Sequence, residues 1–71
     1  MAFPKDTSRI ITNLTRPKLL SVIKAIKNKQ VKWLHSSLHS ESCLATFEYN
    51  RIKYEMTECW EEVTSIRRKH G

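Results

Sequence analysis

Residues 43–57, CLATFEYNRIKYEMT, read as a β-hairpin. A turn at Asn50-Arg51 sets Tyr49 opposite Ile52, Phe47 opposite Tyr54 and Ala45 opposite Met56 on one surface. The same register sets Glu48 opposite Lys53 and Thr46 opposite Glu55 on the other. One pairing therefore accounts for an apolar face and a charge-matched polar face together. Asn50 belongs to the residue types that tolerate positive φ, whereas Arg51 stands where such turns usually carry Gly.

Upstream of the hairpin, Val31-Lys32-Trp33-Leu34-His35 alternates as a strand does, with Val31, Trp33 and His35 on one side. The polar stretch 36–42 then reads as a loop. Before that strand the period changes to 3.6. Thr15 suits an N-cap, Pro17 suits a first helical turn, and Leu19, Val22, Ile23 and Ile26 recur at helical spacing, which predicts a helix over about 16–29. Leu20 falls on the rim of its apolar arc, and Lys18, Lys24, Lys27, Asn28 and Lys29 fall outside it. Residues 1–8 have no period and read as a flexible N-terminal arm with Phe3 as its one anchor. Residues 9–14 are too short a run to choose between strand and helical turn, Ile10 and Ile11 included.

Downstream, Thr57 can cap a last helix. Glu58, Glu61 and Glu62 would lie in its early turns and Arg67, Arg68, Lys69 and His70 at its end, the order that suits the helix dipole. Cys59, Val63 and Ile66 would form its buried stripe, with Trp60 beside it. The expectation is a single small α+β domain over 9–71 in the order α-β-β-β-α, with a three-stranded antiparallel sheet packed against two helices. That element order is similar to the double-stranded-RNA-binding fold and to HicA-type ribonuclease toxins, a likeness of order that carries no residue across.

With 71 residues, 39% of them hydrophobic and 28% charged, the chain has globular composition but little surface to hide, so a deep catalytic pocket is hard to build. Its formal charge of +6 is uneven. Residues 1–40 hold eight bases against one acid, a balance of +7, and residues 41–71 hold five bases against six acids, a balance of −1. Such asymmetry points to a polyanion, an acidic protein surface or an anionic membrane as partner, and the lack of aromatic residues on the apolar side of helix 16–29 speaks against the membrane. No apolar run approaches the roughly 18 residues of a membrane span, and no signal-peptide core is present. A cytoplasmic setting without membrane contact follows, in which Cys43 and Cys59 are read as free, partly buried thiols.

The single glycine, Gly71, excludes the phosphate-binding loops and nucleophile elbows that need internal glycines. Neither a CxxC pair nor an HExxH motif occurs. His35, His39, Cys43 and Cys59 are zinc-ligand types at spacings that fit no zinc template, and His35 or His39 as a general base is the enzymatic alternative. The reading adopted is a non-catalytic protein without cofactor or metal. Its expected phosphate contacts are Arg9, Arg16, Lys18, Lys24, Lys27, Lys29 and Lys32, with Trp33 as a base-stacking group. The alternative is a modulator or inhibitor of a cytosolic enzyme, acting through the sheet aromatics and steered by the same lysines. An edge strand also allows a homodimer.

Overall fold

The computed structural model describes residues 2–38 and 42–69, with the backbone alone described at residues 37, 38 and 42. A 3-10 turn, η1 (Thr7–Arg9), precedes one helix, α1 (Arg16–Lys27), and four strands: β1 (Lys32–Leu38), β2 (Ser42–Tyr49), β3 (Ile52–Cys59) and β4 (Glu62–Arg68). The strands form one antiparallel meander in the order β1-β2-β3-β4.

The hairpin at the centre has the register its pattern dictates: Tyr49 pairs with Ile52, Phe47 with Tyr54, Ala45 with Met56, Glu48 with Lys53 and Thr46 with Glu55. Phe47 and Tyr54 stack with ring centroids 5.4 Å apart. On that face they join Ala45, Met56, Val63 and Ile66 with Leu19, Val22, Ile23 and Ile26 of α1, and Ile10, in one core. Complete burial of side chains such as Phe47, Met56, Ile66 and Val22 contributes roughly 1.5–3 kcal/mol each.

The expected order α-β-β-β-α with two helices is wrong at its last element. Residues 57–69 are not helical: Thr57, the supposed cap, lies inside β3, and Glu62–Arg68 form a fourth strand. The cause is a β-bulge. Thr57 pairs with Ser65 but Glu58 pairs with Val63, so Thr64 is the extra residue, its hydroxyl donating to the Thr57 carbonyl at 3.1 Å. The bulge resets the inside-outside alternation and puts Val63 and Ile66, three residues apart, both into the core, which in sequence imitates a helical stripe. A second shift between Trp33 and His35 makes Leu34 the extra residue of β1. That strand continues to Leu38, through part of the stretch read as a loop. With the last helix gone, the likeness to the double-stranded-RNA-binding fold and the HicA-type toxins goes too.

Residues 2–14 follow the outer edge of β4. Ala2 donates to the Glu61 carbonyl and accepts from the Val63 amide, both at 2.8 Å. Ile11 donates to Thr64 at 2.9 Å and accepts from Ile66 at 3.0 Å, so within the undecided segment Arg9 ends the 3-10 turn and Ile11 forms a parallel bridge. Asn13 completes the edge, its Oδ1 accepting from the Arg68 amide at 2.9 Å. Phe3 packs on the core, with the Lys27 ammonium 5.4 Å above its ring.

Tight connections are made without glycine. Asn50 and Arg51 have φ of 54° and 65°, and Trp60 and Glu61 have φ of 53° and 66°, so both two-residue turns carry positive φ at both central positions. Lys29, at φ 58°, ends α1 in a Schellman arrangement, with the Gln30 amide donating to Ala25 at 2.8 Å and the Lys29 amide to Ile26 at 3.1 Å. Left-handed backbone at a residue with a Cβ costs roughly 1–2 kcal/mol. Lys29→Gly and Glu61→Gly are therefore each expected to stabilise the fold by about 1 kcal/mol, a rise in Tm of roughly 4–8 °C by thermal denaturation. One substitution removes a cation and the other an anion, so a gain in both is a backbone effect. A loss in both would contradict this account of the turns.

Candidate nucleic-acid interface

Twelve residues of α1 cannot present all their cations in one direction. At 100° per residue, Arg16, Lys27 and Lys24 fall within an arc of about 80° that flanks the buried Leu19, Val22, Ile23 and Ile26 on the Ile23 side. All three are exposed. Lys18 falls on the opposite flank and is half-buried. Lys29 and Lys32 follow the helix, exposed at its cap and at the start of β1. Arg9 is exposed at the end of η1.

These cations differ in how free they are. The Arg16 guanidinium donates to the Thr7 hydroxyl at 3.1 Å. Arg9 and Arg16 both act on Asp6, whose carboxyl lies below the ordinary aspartate range. The largest cause is the hydrogen bond from the Ser8 hydroxyl, then that from the Ser8 amide, with weaker help from Arg16 and Arg9. A carboxylate depressed in this way adds stability above the unfolded aspartate's pKa and loses it as pH falls through the folded value, so Asp6 remains an anion at neutral pH. Lys27 is engaged over Phe3. Lys24, Lys29 and Lys32 are the exposed members of the set without such a contact among the described residues.

The fold also assembles cations that the linear reading kept apart. At the start of α1, a cleft of 410 Å³ is lined by Asn13, Leu14, Thr15, Lys18, Ile52, Tyr54 and Arg68. Next to it, Arg51, Ile52, Lys53, Arg68 and Lys69 line a second of 340 Å³. The two share Ile52 and Arg68, and between them they carry five cations and no carboxylate. Arg68 is held there by Asn13, and Lys69 by the hydrogen bond its amide donates to the Lys53 carbonyl at 2.9 Å. Arg51, Lys53, Arg68 and Lys69 are absent from the sequence-derived set because that set follows the charge excess of residues 1–40, and residues 67–69 read as the end of a helix. In a strand Arg67 and Arg68 point to opposite faces instead, Arg67 beside Glu55 and Arg68 beside Tyr54.

Register turns this into a polarity of the whole sheet. Lys32, Arg51, Lys53, Arg68 and Lys69 lie at the end that holds the β2–β3 turn, with Glu48 between Lys32 and Lys53. Glu58, Glu61 and Glu62 lie at the end that holds the β3–β4 turn. The imbalance between halves of the chain is thus re-sorted into a difference between ends of the sheet.

Trp33 is 46% exposed, its ring tilted against Phe47 at a centroid distance of 5.3 Å. With Leu34, His35, Ser36, Cys43, Ala45 and Glu58 it lines a cleft of 570 Å³. Of the sheet aromatics offered as protein anchors, Phe47 and Tyr54 are fully buried and Tyr49 partly so, whereas Trp60 stands 74% exposed in its turn. Among the described residues no three His, Cys, Asp or Glu side chains gather as metal ligands, and His39 lies outside those residues. No helix of the described residues is long and apolar enough to cross a membrane. Comparison with known proteins gives no matching family model, no matching curated protein and no matching solved structure.

The Tyr54 hydroxyl is buried without a hydrogen-bond partner among the described residues. Tyr54→Phe is expected to leave stability unchanged or raise it by up to about 1 kcal/mol in denaturant melts, because it removes a desolvated polar atom. Asn13→Ala is expected to cost about 1 kcal/mol and to speed hydrogen exchange at the Arg68 amide. Unaltered exchange at Arg68 would show that Asn13 does not hold that end of β4.

Proposed function

We propose that this chain is a non-catalytic regulatory protein that binds nucleic acid through its cationic surface. The observation that carries the reading is the joined pair of clefts lined by Lys18, Arg51, Lys53, Arg68 and Lys69 without an intervening carboxylate. Phosphates dominate nucleic-acid affinity, and each cation that neutralises one releases condensed counterions. A shallow surface with five cations meets that requirement, and Lys24, Lys29 and Lys32 supply a second point of contact. Trp33 offers an exposed π-face to an unpaired base. On this reading Arg9 and Arg16, which share Asp6, contribute least.

Trp60 favours a second reading, in which the partner is a protein. A bulky residue in left-handed backbone, left 74% exposed, is doubly unfavourable for stability. Such a residue suits an anchor in an interface. A modulator of an enzyme would dock this turn and use its lysines for steering.

Binding to a generic duplex and to a single strand, each measured at low and moderate salt, tests the first reading. Affinity should fall steeply with salt. Replacing Lys53, Arg68 and Lys69 together by Gln should flatten the log–log slope on duplex by roughly 2–3, at about 0.9 per lost phosphate contact. Replacing Glu58 and Glu61 by Gln should leave that slope intact. Absence of binding at low salt removes the proposal, and an unchanged slope in the triple variant moves the contact away from the clefts.

A further inference from the structure

We infer that the cleft at the start of α1 is a seat for a single phosphate monoester, bound by Lys18, Arg68, the Thr15 hydroxyl and the buried Tyr54 hydroxyl. The inference shares Lys18 and Arg68 with the nucleic-acid reading and rests on it to that extent, but its ligand is one phosphate group rather than a strand.

Two independent features leave donors without acceptors around the same space. The first is the Tyr54 hydroxyl. Tyr54 is fully buried and stacked on Phe47, and its oxygen has no hydrogen-bond partner among the described residues. Buried polar groups are nearly always paired, and a phenylalanine fills the same ring position without the cost of an idle hydroxyl, as Phe47 does beside it. Tyr54 forms part of the wall of the 410 Å³ cleft. A donor shut off from bulk water at that wall takes its acceptor from a ligand that enters the cleft.

The second is the helix end. Thr15 is the N-cap of α1 and lines the cleft, yet its side chain makes no capping hydrogen bond. The Lys18 amide, the usual partner of such a cap, is left without an acceptor among the described residues. With 12 residues, α1 is long enough for its aligned peptide dipoles to favour an anion at this end. Asn13 fixes the other side chain needed: its Oδ1 accepts from the Arg68 amide at 2.9 Å, which ties the end of β4 to the loop before α1.

Donors and charges select the anion. Two cations, two hydroxyls and an amide exceed what the two oxygens of a carboxylate, or the two free oxygens of a phosphodiester, can engage. A monoester offers three oxygens and a charge of about −1.5 to −2 at neutral pH, which Lys18 and Arg68 together balance. No carboxylate lines the cleft to oppose it. Leu14 and Ile52 line the remainder, an apolar flank for the group that carries the phosphate. Two sources have this chemistry, the phosphorylated end of a nucleic-acid strand and a free phosphate compound.

The test has two arms. In the first, the natural chain, Tyr54→Phe and Lys18→Gln are titrated with inorganic phosphate at constant ionic strength, and amide resonances are followed by NMR. The amides of residues 18 and 68 should shift saturably in the natural chain. In both variants the dissociation constant should rise on the order of tenfold, the worth of one hydrogen bond to a charged group, with Tyr54→Phe at least as stable as the natural chain. In the second arm, fluorescence anisotropy compares a short single strand ended by a 5′-phosphate, by a 3′-phosphate or by hydroxyls alone. A phosphate at one end should tighten binding by a similar factor, and Tyr54→Phe should abolish that preference. Lys53→Gln, in the adjoining cleft, should weaken all three strands alike. Saturable phosphate shifts with equal strand affinities support the seat and identify a free phosphate compound as its ligand. An unchanged phosphate constant in Tyr54→Phe marks an adventitious ion only and overturns the proposal, as does the absence of saturable shifts. Salt-sensitive strand binding without those shifts leaves the nucleic-acid reading standing and this one fallen, and phosphate binding without strand binding does the reverse.

Discussion

The structure depends on the stacking of Phe47 against Tyr54 across β2 and β3. Both side chains are fully buried, and a one-residue slip would turn both outward while carrying Glu48 and Lys53 toward the helix. That exchange would expose two large aromatics and bury two charges, so the register has no close competitor. Around the pair the rest is ordered. Trp33 tilts against Phe47 from β1, the apolar stripe of α1 lies over both, and Arg68 is placed beside Tyr54 from β4. The cationic clefts share Ile52, the first residue after the turn that this register closes.

Residues 43–57 were legible because two independent faces agreed on one pairing, and α1 because its cap, proline and apolar spacing agreed on one start. Residues 57–69 were misread because periodicity assumes an unbroken ladder. The extra Thr64 converts a two-residue repeat into the three-residue spacing of Val63 and Ile66, and the flanking charges happen to match the order a helix dipole favours. The run Val63-Thr64-Ser65-Ile66, β-branched at Val63, Thr64 and Ile66 and without a strong helix former, was the available signal. Pairing of the N-terminal residues with β4 left no local trace, since Ile11 meets a partner more than fifty positions away.

The same error shaped the expected site. Seven cations were gathered by nearness in sequence, and the fold divides them among a shared carboxylate, an aromatic contact, a cleft and open surface. Lys18 leaves the helical group and joins Arg68, fifty residues away. Cross-strand rows such as Lys32–Glu48–Lys53 show charges of alternating sign on the face away from the helix. What remains uncompensated is concentrated where strands end, because a register can match side chains along a ladder but not beyond its last rung.

The N-terminal residues lying along β4 also impose an order of assembly. The three hairpin connections close short loops and form early, whereas the bond between Asn13 and Arg68 spans 55 positions. Closing a loop of that length costs on the order of 3–4 kcal/mol in chain entropy before any contact repays it. During synthesis the segment leaves the ribosome well before β4, the strand it docks on. Until then the far side of the meander is exposed to any other extended chain, so crowding in the nascent state threatens β4 rather than the hairpin core.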